Sequence, residues 1–201
     1  SADSLRFLLL SSPVLNAEDF SLQDKEVGDV ARKLSMVWNM FDFFTLYASV
    51  DEWDSGLKNG ELPADPSSKL TNPLDEWIVS RVHQLTAEVE SHMERYDLPN
   101  ALKPILPFID DASNWYVRRS RKRFWKSDND DDKQQAYQTL HYVLVQLSLV
   151  LAPFTPFLAE ELYRQLTNGE SVHLLDWPTV GHINELVVSD MAELRAGINS
   201  G

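Results

Sequence analysis

The sequence predicts an all-α protein, an antiparallel helical bundle with short irregular segments at both ends. Apolar residues recur at three- and four-residue steps over several long segments, as a buried helix face requires. Polar connections of moderate length join these segments, which suits antiparallel neighbours. No strands alternate with the helices and no Gly-rich phosphate loop occurs, so nothing favours a Rossmann or other α/β core.

The first part of the chain predicts two helices and a linker. A short helix is expected over Asp3–Leu10, with leucines on one face. Pro13 breaks it, and the segment after the proline has room for a short strand around Phe20. A long helix is predicted from Asp24 to about Val50 on a wide apolar stripe. Residues 51–73 are polar, contain Gly and Pro, and form the candidate internal linker.

Two helices follow the linker. The first begins where Asn72 can cap a helix and Pro73 fits its first turn, and it runs to about Tyr96. The second spans roughly Asn100–Trp125 and is bent or interrupted at Pro104 and Pro107, because proline removes a helical hydrogen bond.

The last part of the chain predicts the most buried helix, Lys133–Leu151, whose apolar residues lie nearly all round it. A further helix over residues 157–166 closes at Asn168-Gly169. Residues 171–178 are expected to be extended, and residues 189–198 form a terminal helix.

Composition limits the class of protein. The 201 residues include 43% hydrophobic residues and no cysteine, which indicates a globular protein without disulfides or thiolate metal sites. No apolar run is long enough for a membrane span. The beginning of the chain has neither an initiator Met nor a basic region, and reads as a cut through a longer chain. The net charge of −13 argues against a nucleic-acid partner unless positive residues are segregated.

Positive residues are in fact concentrated in one stretch, "NWYVRRSRKRFWK", residues 114–126. Six of its last nine residues are basic, which leaves 12 Lys and Arg against 31 Asp and Glu elsewhere. Helical spacing predicts one side formed by Trp115, Arg118, Arg119, Lys122 and Lys126, with Arg121 and Trp125 beside it. On the side that faces the bundle, the same spacing places Ile109, Ala112, Tyr116 and Ser120.

Three interpretations of this basic stretch remain open on spacing alone. Guanidinium groups suit phosphates and aromatic rings stack on unpaired bases, which favours a nucleic-acid site. The same charges could form a salt-bridged face toward another protein or domain. They could also be neutralised by the acidic loop "SDNDDD" that follows, and so be an ordinary surface.

No catalytic residue and no metal site is predicted. The five histidines are scattered, without the pairing of zinc sites. Asp128, Asp130 and Asp132 have calcium-loop spacing, but Lys133 replaces the required Gly and Thr139 the required Glu. A solvated loop that caps the next helix is expected instead. No nucleophile elbow surrounds any serine.

Several motifs together resemble a known family. "DDASNWYVRRSRKRFW", "LAPFTPFLAEELYRQL" and "ESVHLLDWP" are similar to the anticodon-binding helical domain of class I aminoacyl-tRNA synthetases. Within that class, "NWYVRRSRKRFW" resembles the isoleucyl-tRNA synthetase family. The His-Ile-Gly-His and Lys-Met-Ser-Lys-Ser signatures of that family do not occur in the chain. The resemblance therefore implies a C-terminal fragment of the enzyme, without its catalytic site.

The resemblance also implies an organisation and partners. Residues 1–22 would be the tail of a segment that links to the catalytic domain, 23–170 the anticodon-binding bundle, and 171–201 an extension with a terminal helix. The implied partners are tRNA(Ile) and the catalytic and editing domains of the same chain, in the cytoplasm. ATP and Mg²⁺ are implied for the full-length enzyme, and no cofactor is expected in this fragment.

The tRNA-binding residues expected from this resemblance lie in the basic stretch. They are Trp115, Arg118, Arg119, Arg121, Lys122, Arg123, Trp125 and Lys126. Trp115 could instead pack the helix against its neighbours. The alternative function is a non-catalytic helical scaffold whose basic face docks an acidic protein surface.

Overall fold

The computed structural model describes residues 1–126, 128 and 130–199, and the regular elements of these residues are all helical. The α-helices are α1 Ala2–Ser11, α2 Asp24–Val50, α3 Pro73–Met93, α4 Leu98–Leu102, α5 Ile105–Asp110, α6 Arg118–Trp125, α7 Asp131–Leu151, α8 Pro156–Thr167 and α9 Glu185–Asn199. A π-helical segment, Asp111–Val117, joins α5 to α6. The helices α2, α3 and α8 all pack against α7. The predicted all-α bundle is confirmed.

Capping residues set the helix boundaries. Asn72 Oδ1 accepts a hydrogen bond from the backbone N–H of Leu74 at 2.9 Å, and this cap begins α3. Asp130 begins α7 in the same way through the N–H of Lys133, at 2.9 Å, so the acidic loop caps the next helix as predicted. Asn168 adopts a left-handed conformation (φ 53°) and ends α8, as the sequence predicts.

The predicted helix over Asn100–Trp125 is divided at Pro104. Its first part, α4, starts two residues early because Asp97 caps it. Proline lacks an N–H and its ring collides with the carbonyl four residues earlier, so α4 ends before Pro104. Pro107 causes no break, because it lies in the first turn of α5, where backbone N–H groups have no helical partner.

One prediction of extended structure is wrong, and a second is met only in part. The segment before Phe20 forms a 3₁₀ turn, Pro13–Asn16, and no strand follows it. An isolated strand would leave its backbone groups unpaired, since the described residues contain no strand that could pair with it. In residues 171–178 a 3₁₀ turn over Val172–Leu174 interrupts the predicted extended segment, and Ser171 and Leu175 on either side of it have extended backbone angles. The terminal helix α9 begins four residues earlier than predicted.

The centre of the fold is α7. Every residue from His141 to Leu151 is buried, because neighbouring helices cover α7 on all sides. The prediction that this helix is the most buried is therefore confirmed, and its nearly continuous apolar sequence is the physical reason.

The two predicted domain boundaries, after residues 22 and 170, fall between elements that contact one another. In the segment 1–22, α1 packs against α2 and α4. In the segment 171–201, α9 packs against α3, and Ser200 and Gly201 lie outside the described residues.

The loop before α9 lies against α3. His83 on α3 is buried, and its Nδ1 donates a hydrogen bond to the carbonyl oxygen of His182 at 2.5 Å. The backbone N–H of His182 donates to Asp65 at 3.0 Å. Gly181 packs directly on the His83 ring, so that a Cβ atom at this position would overlap the ring. The loop therefore requires glycine because of close packing.

We expect Gly181→Ala to lower the free energy of unfolding by about 1–3 kcal/mol, the usual cost of inserting a methyl group into a packed site. Gly28→Ala is the matched control, since Gly28 lies on an exposed side of α2 with nothing within 4 Å of the added atom. That change should stabilise the protein by up to about 1 kcal/mol, because alanine favours helices. Urea unfolding measures both, and equal effects would contradict the packing argument.

Candidate nucleic-acid interface

The helix α6 presents opposite faces to the core and to solvent. Tyr116, Ser120 and Phe124 follow one another at four-residue steps and are buried. Phe124 packs edge-on against Phe43 of α2 and Tyr137 of α7, with ring centroids 5.1 and 5.0 Å apart. The predicted inward side is confirmed, since Ile109 and Ala112 are buried as well. The remaining side of α6 therefore faces outward.

Four cations occupy this outward side, and we call them the basic surface: Arg118, Arg119, Arg121 and Lys122. At 100° per residue they cover an arc of about 160°. In the described part of the chain, the side chains of Arg118, Arg121 and Lys122 make no hydrogen bond or ion pair. Charges of the same sign at three- and four-residue spacing repel one another, so this arrangement is unfavourable without an anionic partner.

Arg123 lies on the other side of the helix, although it was predicted to bind tRNA with these cations. Its guanidinium donates to both carboxylate oxygens of the fully buried Asp75, each at 2.7 Å, and only 11% of its side chain is exposed. Asp132 accepts from its Nε at 3.1 Å, and Tyr116 Oη donates to Asp75 at 2.7 Å. A buried carboxylate requires such a partner. Arg123 is thus part of the interior.

Burial alone would lower the pKa of Arg123, because it disfavours the charged form. The hydrogen bonds and negative charge of Asp75 outweigh burial and raise the pKa of Arg123 further. Burial and the same carboxylate raise the pKa of Tyr116, which stays a hydrogen-bond donor.

Lys126 is neutralised within the protein. Its Nζ donates to Asp130 at 2.6 Å and to Asp132 at 3.4 Å. The hydrogen bond to Asp130 is the main reason why the pKa of Lys126 is raised. The described residues of the acidic loop therefore pair with Lys126 and Arg123, and not with the basic surface. Ser127 and Asn129 of this loop lie outside the described residues.

The two tryptophans of the basic stretch have different surroundings. Trp125 is 54% exposed at the end of α6. Trp115 is half-buried against the core, and the Arg119 guanidinium carbon lies 3.6 Å from its ring centroid. A second guanidinium, from Arg195 on α9, lies 4.4 Å from the same centroid. Trp115 is therefore covered, whereas Trp125 is open to a stacking partner.

Arg195 is the residue of this region that the sequence analysis missed. Its Nη1 donates to Asp111 at 2.6 Å, which brings α9 to the start of the basic stretch. One signal in the sequence was available: Arg195 is the sole Lys or Arg among residues 171–201.

A cavity of about 290 Å³ borders the basic surface, between α2 and α6. Arg118 and Arg121 lie on the α6 side beside residues of the π-helical segment, and residues of α2 lie opposite. The other lining residues are Asn39, Met40, Phe43, Ser113, Asn114 and Val117. Such a lining combines groups for an anion with hydrogen-bonding amides and an aromatic surface.

No helix in the described residues is long and apolar enough to cross a membrane.

A family model identifies the class of protein to which this all-α bundle belongs. The family model described as "Anticodon-binding domain of tRNA ligase" matches residues 75–200, more than half of the chain. The chain therefore belongs to the anticodon-binding domain family of tRNA ligases.

Three similar curated proteins carry a more specific name, isoleucine–tRNA ligase. The chain is 46% identical to the one from Dehalococcoides mccartyi over 187 residues, and 40% identical to that from Treponema denticola over 190 residues. Each of these matches covers 88% of the chain and 17% of the relative. The relative from Protochlamydia amoebophila is 35% identical over 206 residues, which cover 100% of the chain and 19% of the relative. The chain thus spans less than a fifth of each relative.

A solved structure has the same fold. It is the ternary complex of Agrobacterium radiobacter K84 agnB2 LeuRS with tRNA and LeuAMS. The match has a TM-score of 0.58 and 20% identity, and it covers 93% of this chain and 20% of that one.

We expect Arg123→Gln to lower the free energy of unfolding by about 3–5 kcal/mol, because it leaves the Asp75 carboxylate buried without its partner. Arg121→Gln, two residues away on the exposed side, is the matched control and should change stability by less than about 0.5 kcal/mol. Urea unfolding at neutral pH compares them. Similar values for the two variants would show that Arg123 does not hold the helix in place.

Proposed function

We propose that this chain is the tRNA-binding domain of an isoleucine–tRNA ligase and binds the anticodon stem-loop of tRNA(Ile). The observation that carries the proposal is the basic surface, four exposed cations on a protein of net charge −13. Family membership and the isoleucine–tRNA ligase relatives support the same function.

Electrostatics explains how an acidic protein can bind RNA. Salt screens charges over about 8–10 Å, so a phosphate close to α6 interacts mainly with the nearest side chains. Asp75, Asp130 and Asp132 are engaged by Arg123 and Lys126, and therefore do not cancel the basic surface. The outward cations remain available for phosphate.

The exposed and the buried residues of the basic stretch receive different roles. We assign phosphate contacts to Arg118, Arg119, Arg121 and Lys122, because phosphates bind guanidinium and ammonium groups in solvent-facing positions. Trp125 is assigned a stacking contact, since its ring is exposed. The side chains predicted with them, Arg123, Lys126 and Trp115, hold the helix against its neighbours and support binding indirectly.

The full-length enzyme would attach isoleucine to tRNA(Ile) in the cytoplasm. ATP and Mg²⁺ would bind in the catalytic domain of that enzyme, and not in this chain. The second candidate function is a scaffold whose basic surface docks an acidic protein, and the unpaired cations also suit that partner. The salt titration described next separates the two.

The chain should bind tRNA(Ile) with an affinity that falls by about two to three orders of magnitude between about 50 and 300 mM salt. Each phosphate contact contributes about 0.7–0.9 to the slope of log affinity against log salt, and the basic surface provides about four. Filter binding measures this slope. An absence of binding even at the lowest salt would favour the protein-docking alternative.

Replacing both Arg119 and Lys122 by glutamine should reduce this slope by about 1.4–1.8, with unchanged helix content. Affinity for tRNA(Ile) and for non-cognate tRNA should fall equally, because a cation on phosphate does not read bases. The matched control replaces Lys25 and Arg164, exposed cations on α2 and α8, by glutamine. A loss confined to tRNA(Ile) would mean that the two residues contact bases.

The chain alone should give no isoleucine-dependent pyrophosphate exchange, since the ATP-binding signatures of the family do not occur in it. The assay compares the chain with a full-length isoleucine–tRNA ligase as positive control. A signal above background from the pure chain would contradict the assignment of this chain to the non-catalytic part.

A further inference from the structure

Asp111, at the start of the π-helical segment, joins three helical elements. Its carboxylate accepts a hydrogen bond from Arg195 of α9 at 2.6 Å and from Arg81 of α3 at 3.2 Å. Arg81 also donates to Gln84 at 2.8 Å. Asp111 is buried, so both guanidinium groups are held in fixed positions near the basic stretch.

The same Arg195 guanidinium lies over Trp115, together with Arg119. Their guanidinium carbons are 4.4 and 3.6 Å from the ring centroid, and therefore within about 8 Å of each other. Two unscreened cations at this separation repel, since the distance is within a Debye length. The Asp111 carboxylate offsets the charge of Arg195, which allows both arginines to share one ring.

Arg195 is not the only residue among those described that attaches α9 to the bundle. Val187, Val188 and Met191 provide the apolar contacts of α9 with the core. The Arg195 side chain is 27% exposed and lies beside the basic surface. Arg195 can therefore have a role beyond the packing of α9.

We propose that Arg195 is a positioning residue for RNA binding, which fixes the Trp115 ring and through it the guanidinium of Arg119. This inference rests on the proposed function. An unrestrained arginine loses side-chain entropy when a ligand immobilises it. A guanidinium already stacked on a fixed indole loses less, so RNA binding is favoured before any new contact forms. Arg195 in the C-terminal segment thereby supports a contact made from α6.

A double-mutant cycle tests the connection between Arg195 and Arg119. Affinity for tRNA(Ile) is measured by filter binding at fixed low salt for wild type, Arg195→Gln, Arg119→Gln and the double variant. We expect Arg195→Gln to weaken binding by about three- to tenfold, within the range of coupling between contacting residues. In the Arg119→Gln background the same change should have almost no effect, because the group that it positions is gone. Arg164→Gln is the control for loss of an exposed positive charge, and should be additive with Arg119→Gln.

Arg195→Lys separates positioning from simple attraction, since lysine keeps the charge but has no planar fork for Asp111 and Trp115. It should weaken binding almost as much as Arg195→Gln. The salt slope should stay unchanged in Arg195→Gln, whereas a direct phosphate contact by Arg195 would lower the slope of that variant by about 0.7–0.9. Full affinity in Arg195→Lys, or equal losses from Arg195→Gln in both backgrounds, would overturn the inference.

A measurement without RNA tests the contact between Arg195 and the Trp115 ring separately from the proposed function. The indole N–H resonance of Trp115, identified by its loss in Trp115→Phe, should shift in Arg195→Gln and not in Arg164→Gln. An unshifted resonance would overturn the inference, because the ring contact would be absent in solution. If wild type fails to bind tRNA, the proposed function fails and the positioning role fails with it. If wild type binds and the cycle is additive, only the positioning role fails.

Discussion

The bidentate ion pair between Asp75 and Arg123 fixes the orientation of the whole basic helix. Asp75 belongs to the first turn of α3 and has no exposed surface, so its charge must be matched inside the protein. Arg123 meets this requirement only when α6 turns one side inward. The cations on the other side of α6 therefore face solvent. The buried pair and the exposed charges are therefore two results of one constraint.

Some cations of this protein are paired with carboxylates, whereas those of the basic surface are not paired within the described residues. Asp75, Asp111, Asp130 and Asp132 bind the basic groups that join one helix to another. Among the described residues, the α6 cations Arg118, Arg121 and Lys122 have no such partner and face solvent. A high acidic content is thus compatible with binding a polyanion, because carboxylates near the surface are already engaged and repel a phosphate less than the net charge indicates.

The fold was largely predictable from the sequence, since helix periodicity and capping depend on nearby residues. The bounds of α2 and the cap at Asn72 followed from such local rules. The strand near Phe20 was wrong because strands depend on distant partners. The inward side of α6 was predicted from spacing, but Arg123 was placed with the exposed cations because its partner lies 48 residues away. Arg195 was missed for the same reason, since Trp115 and Asp111 are remote in the chain.

The π-helical segment, Asp111–Val117, sets the rotation of α6 about its axis. A π-helical turn contains about one residue more than an α-helical turn, so each of its residues advances the chain through a smaller angle. If the same seven residues formed α-helical turns, α6 would be rotated by about 100°. Phe124 would then leave the core, and Arg119 would point into it. Deleting one residue together with this change would restore the original register. The inside and the outside of the helix thus depend on the backbone hydrogen bonding of seven residues, with no change in composition.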